Sequence, residues 1–115
     1  MPARSLADQP PRIRAALAAF AEQLRRRLGD RVIDLRLFGS RARGTAHGES
    51  DVDIAVVLDG ADWRTRCEVI DLATDIGLES DLELSPTVFD RPTWERFRGE
   101  QRPLVADIER EGIPL

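Results

Sequence analysis

The sequence predicts an α/β fold, a small sheet packed against helices in a two-layer sandwich. Three observations carry that expectation. Segments of helical spacing alternate with short apolar segments of strand character, glycine or proline punctuates each change of period, and 115 residues suffice for one hydrophobic core but not two. The expected order is α-β-loop-β-α-β-α in a single domain spanning residues 1–115, with residues 1–10 as a flexible N-terminal segment.

Ile13, Leu17, Phe20, Leu24 and Leu28 recur at steps of three and four, which lines one face of a helix over residues 12–28. Pro10 and Pro11 suit its first turn and Gly29 its exit. Residues 31–38 are dense in apolar and β-branched side chains and predict a strand ending at Gly39. Residues 40–50 are poor in apolar content and read as a loop, with a helical turn near Arg41. Residues 51–58 alternate, with Val52, Ile54, Val56 and Leu58 on one face, and predict a second strand. Asp59-Gly60 marks a turn, after which Val69, Leu72, Ala73 and Ile76 predict a helix over residues 63–77 with Gly77 at its exit. A third strand is expected from Asp81, interrupted at Pro86, followed by a short helix or turn around Trp94 and Phe97 and a last helix closed by Gly112.

The formal net charge of -4 excludes a protein that coats nucleic acid through a broad basic surface. All 17 cationic residues are arginine, which excludes chemistry built on a P-loop or Schiff-base lysine. No apolar run approaches the roughly 18 residues of a membrane span, and residues 1–10 lack an export signal, so a cytoplasmic location is expected. Cys67 is the single cysteine, so no internal disulfide forms.

The chemistry concentrates in residues 39–53, GSRARGTAHGESDVD. A glycine at a strand exit lets backbone N–H groups approach a triphosphate, and the hydroxyl of Ser40 can donate to a phosphate oxygen. Asp51 and Asp53, at i and i+2 of a strand, share one face about 6.6 Å apart, a separation that serves a metal pair ~3.5–4 Å apart. Two such ions want a third carboxylate from a neighbouring strand. Asp81 is the expected donor, with Glu83 on the same side as its rival. A calcium loop is excluded because Ile54, Ala55 and Val56 follow Asp53 where that loop needs further oxygen ligands and a glycine.

Gly39-Ser40, ten residues, then Asp51-Val52-Asp53, with an acid on a later strand, resembles the signature of the nucleotidyltransferases of the DNA polymerase β superfamily, specifically the minimal MNT type paired with HEPN-domain toxins. The resemblance extends to the ending IEREGIPL. It implies the nucleotidyltransferase fold, a small mixed sheet flanked by helices. It also implies two Mg2+ ions on Asp51, Asp53 and Asp81, with ATP as nucleotide donor held by Gly39 and Ser40; apart from the resemblance, the guanidinium of Arg41 suits a triphosphate, against the reading of an ordinary exposed loop arginine. The implied function is antitoxin action through transfer of AMP to a tyrosine of a HEPN-type partner.

Two other functions compete: a catalytically silent module that neutralises a partner by occlusion, and a transferase acting on small molecules or nucleic acid, which usually needs a further domain. A homodimer or hetero-oligomer fits a sheet with an unpaired edge. Arg43 and His47 read as loop residues, Cys67 as helix packing, Trp94 and Phe97 as core or partner contacts, and Arg25-Arg26-Arg27 as the solvated side of the first helix.

Overall fold

The computed structural model of the protein describes residues 5–45 and 51–115. Among these, five helices and four strands follow the chain as α1 (Pro11–Leu28), β1 (Val32–Phe38), α2 (Ser40–Arg43), β2 (Val52–Leu58), α3 (Trp63–Ser80), β3 (Leu84–Asp90), α4 (Arg91–Gly99), α5 (Pro103–Glu111) and β4 (Ile113–Pro114). The sheet is mixed, in the order β3-β2-β1-β4. β1 runs antiparallel to both β2 and β4, whereas β2 and β3 are parallel and α3 makes the crossover between them.

Alternation along β2 divides the molecule into two layers of side chains. Val52, Ile54, Val56 and Leu58 join Leu35, Leu37 and Leu84 under α1 and α3 in the principal core. Phe20, Leu17 and Leu24 of α1 are wholly buried there, each contributing about 1.5–3 kcal/mol by leaving water. On the opposite face Ala55 and Val57 meet Phe89, Trp94, Val105 and Ile108, so α4 and α5 cover part of the sheet that a two-layer reading leaves bare. Trp94 packs edge-on to Phe89 with ring centroids 5.1 Å apart, which makes it a core residue of this smaller layer. Phe97 is half-buried between the guanidinium groups of Arg96 and Arg102. Cys67 is a free, partly buried thiol on α3.

Three boundaries differ from the sequence expectation. β3 is continuous from Leu84 to Asp90 and includes Pro86. The physical reason is its place at the edge of the sheet, where a residue without an N–H is tolerated. α3 continues past Gly77 to Ser80, and Asp81, not a glycine, takes the left-handed capping conformation at φ 54° and ψ 48°. Gly77 serves packing instead: a Cβ there would lie 2.6 Å from the carbonyl oxygen of Leu82. β4, two residues long, pairs Ile113 with Leu37 and Pro114 with Arg36, and is too short to show alternation in the sequence. Upstream, Leu6–Asp8 form a 3-10 turn and Gln9 is buried.

Three large apolar side chains of α3 are exposed. Trp63 is 81% exposed, Ile70 49% and Leu78 78%, and their spacing puts them in one row.

Gly77→Ala is expected to lower the melting temperature by about 5 °C or more, because backbone, not a flexible side chain, must yield. Asp81→Gly should leave it unchanged or raise it, since glycine adopts the left-handed cap without strain. Thermal melts of the two variants check both.

Asp62 caps α3 by accepting the Thr65 N–H at 2.8 Å. The bonds from the Thr65 backbone and hydroxyl hold its carboxyl below the usual aspartate range. A depressed folded-state value stabilises the fold above the unfolded value and loses that effect as pH falls through the folded one. Asp62→Ala should therefore melt a few degrees below wild type at pH 7, and the gap should close as pH drops below about 4. Melts across pH check it.

Candidate functional site

The antiparallel register sets Phe38, the last residue of β1, opposite Asp53 near the start of β2. Gly39 then leaves the strand at φ 77° and ψ -155°, a backbone region open to glycine and costly for other residues. A second constraint acts at the same atom, because a Cβ on Gly39 would fall on the carboxylate oxygen Oδ2 of Asp53. The first half of the sequence motif is thus pressed against the second half. Beyond Gly39, the chain turns through α2, where the Arg43 N–H donates to the Gly39 carbonyl at 3.1 Å and the Thr45 N–H to the Ser40 carbonyl at 3.0 Å. Ser40 is half-buried at the head of this turn.

Arg41 is 8% exposed, so it is no ordinary loop arginine. Its carbonyl accepts the side-chain N–H of Gln9 at 3.0 Å in a buried bond that ties α2 to the segment before α1. Arg43 is exposed, lies 3.4 Å from Glu111 of α5, and places its positive charge in the field of Asp53. His47 lies outside the described residues.

Asp51 is exposed just ahead of β2, and Asp53 is half-buried on the strand. Burial pushes the Asp53 carboxyl above the usual aspartate range, the charge of Asp51 pushes it further, and Arg43 opposes both. Sequence reasoning missed Arg43 in this balancing role, because nothing in spacing alone tells which loop arginine faces the strand.

The structure does not bring Asp81 onto a strand beside this pair. Asp81 is exposed at the end of α3, three residues before β3 begins. Glu83 is exposed too, and its carbonyl accepts the Val52 N–H at 2.9 Å. The residue level with Asp53 on β3 is Ser85. Parallel partners point to the same face, and the shared packing of Ala55 and Val57 with Phe89 confirms that the odd-numbered residues of both strands do so here. Sequence reasoning passed over Ser85, although counting back by twos from Phe89 reaches it.

Among the described residues, no group of three His, Cys, Asp or Glu side chains converges as a metal site. The donor set nonetheless suits a hard divalent cation. Magnesium is commonly held by one or two carboxylates with phosphate and water oxygens completing its shell, and a cation offsets the burial and the Asp51 repulsion that raise the Asp53 carboxyl. Among the described residues no helix is long and apolar enough to cross a membrane.

Residues 17–108 match the family model of the nucleotidyltransferase domain. No curated protein matches the chain. Among solved structures, one assigned as a minimal nucleotidyltransferase aligns at 27% identity and TM-score 0.58 over 97% of each chain. A toxin-antitoxin crystallised with AMP-PNP contains a chain that aligns at 27% identity and TM-score 0.54, over 83% of this chain and 68% of that one. A mutant of the toxin-antitoxin MntA-HpeT, with two aspartate-to-glutamate changes two positions apart, aligns at 25% identity and TM-score 0.53 over 82% and 68%.

The raised Asp53 carboxyl has a testable consequence. A raised folded-state value means that the protonated form favours folding, an effect present below the unfolded value and lost as pH rises through the folded one. In metal-free buffer at pH 7, Asp53→Asn should thus melt above wild type, by a few degrees at most because the group is partly solvated. The two should converge in acid. A variant that melts lower than wild type at neutral pH contradicts the electrostatic account.

Proposed function

Because the chain belongs to the nucleotidyltransferase domain family and is a nucleotidyltransferase of the minimal type, we propose that it transfers AMP from ATP to a tyrosine hydroxyl of a HEPN-type toxin, with two magnesium ions as cofactor, and so acts as an antitoxin. The observation that carries this reading is the contact of Gly39 with Asp53, which joins a strand exit fit for phosphate to a carboxylate pair fit for cations. The likeness to a toxin-antitoxin crystallised with AMP-PNP supports the nucleotide and the partner. A related structure carries a tyrosine-to-alanine mutation, and another alters two aspartates at the spacing of Asp51 and Asp53.

In this reading Ser40 and the backbone at Gly39 hold the triphosphate, while Asp51 and Asp53 hold the cations that accompany it. Bound magnesium supplies charge neutralisation at the phosphates and acidifies the attacking hydroxyl. The acceptor oxygen bonds to the α-phosphorus as the bond to pyrophosphate breaks, and the hydroxyl proton passes to solvent. The chain's own contribution is position: the short path from β1 through Gly39 to α2 keeps the phosphate-binding turn beside the carboxylates.

A second reading, the silent occluding module, draws on one observation, the hydroxyl of Ser85 level with Asp53 where a carboxylate would assist catalysis.

A thermal melt with ATP, with and without magnesium, tests the site. A magnesium-dependent rise of several degrees is expected in the wild type, by mass action on the native state, and its loss is expected in the Asp51→Asn/Asp53→Asn double variant. No rise in wild type would move the assignment to the silent module.

A further inference from the structure

Two acids, Asp81 and Glu83, compete in the sequence for the place beside Asp51 and Asp53, and the register of β2 against β3 sets Ser85, rather than either acid, level with Asp53. Val52 is level with Leu84, Asp53 with Ser85 and Ala55 with Thr87. The side chain of a parallel partner stands on the same face of the sheet as its neighbour, about 4.8 Å away across the ladder. Ser85 is half-buried, on the face that Phe89 of the same strand shares with Ala55 and Val57. Asp81 caps α3 in a left-handed conformation and belongs to no strand.

We propose that Ser85 is the third protein donor of this site, a neutral hydroxyl on β3 beside Asp53, and that Asp81 takes no part in holding the cation. The inference rests on the reading of the site as one for a nucleoside triphosphate with divalent cations. With two carboxylates and a hydroxyl the protein's own oxygens carry less charge than three carboxylates would. Oxygens of the triphosphate complete the shell. Cation and nucleotide then bind interdependently, each strengthening the other by the same factor.

Manganese provides the probe, followed by the electron paramagnetic resonance of the free ion, which reads binding without turnover. Wild type should bind manganese weakly alone and about tenfold or more tightly with AMP-PNP present, counted beyond the manganese that the same AMP-PNP chelates without protein. Ser85→Asp should tighten nucleotide-free manganese binding by about tenfold, and its metal-free melting temperature should fall and recover on adding manganese. Ser85→Ala should loosen manganese in the AMP-PNP complex, and Asp81→Asn should change neither measurement. Looser manganese in Asp81→Asn or Glu83→Gln, with both Ser85 variants at the wild-type value, overturns the proposal while leaving the triphosphate site intact. A wild type that binds no AMP-PNP with manganese overturns the reading of the site and this inference together.

Discussion

The pairing of β2 with a different neighbour on each side is the constraint on which the rest of the molecule depends. Antiparallel β1 brings its C-terminal end to the start of β2, so Phe38 meets Asp53 and the exit at Gly39 falls beside the carboxylate. Parallel β3 brings its own start to the same end, which α3 makes possible by carrying the chain back along the sheet. Three segments distant in sequence therefore converge where β2 begins. A shift of β2 by one residue against its neighbours would turn Asp53 into the principal core and Val52 and Ile54 out of it, so burial under α1 and α3 enforces the register of the site.

That geometry has an electrostatic cost. Asp53 is partly removed from water, near the charge of Asp51 and against the backbone of Gly39, and its carboxyl is pushed up accordingly. Arg43 offers only partial relief, because it is exposed and also faces Glu111. The core of the sheet supports this arrangement: Ile54, Val56 and Leu58 are fully buried, and β2 is flanked on both sides by paired strands. An electrostatic cost of this kind persists because the packed strands around it hold the pair in place.

Much of this fold was legible in sequence because its signals are periodic and local. The row Ile13, Leu17, Phe20, Leu24 and Leu28 specifies α1, and all five are buried. The alternation of Val52, Ile54, Val56 and Leu58 specifies β2 and its buried face. What escaped was set by tertiary context. Pro86 looks like a strand breaker until β3 is known to lie at the edge of the sheet. Gly77 looks like a helix terminator until the Leu82 carbonyl is seen beside it. The glycine and aspartates of the motif were visible as residues, but which side chain stands level with Asp53 depends on a strand register that spacing along one chain does not contain.

The helix ending at Asp81 illustrates how the two kinds of information combine. Parity alone places Asp81, Glu83 and Ser85 on one side of an extended segment, with Leu82 and Leu84 on the other, and Leu82 and Leu84 do pack toward the principal core. Parity is silent on where extension begins. The left-handed turn at Asp81 and the bond from the Leu82 N–H to the Gly77 carbonyl at 2.9 Å end the helix there, so the strand starts only at Leu84. An acid at the last helical turn is thereby separated from the ladder, and the first side chain of β3 on the face of Asp53 is a serine. In the proposed triphosphate site, the ligands would supply the negative oxygens that the protein lacks, which would tie the presence of the cation to that of the triphosphate.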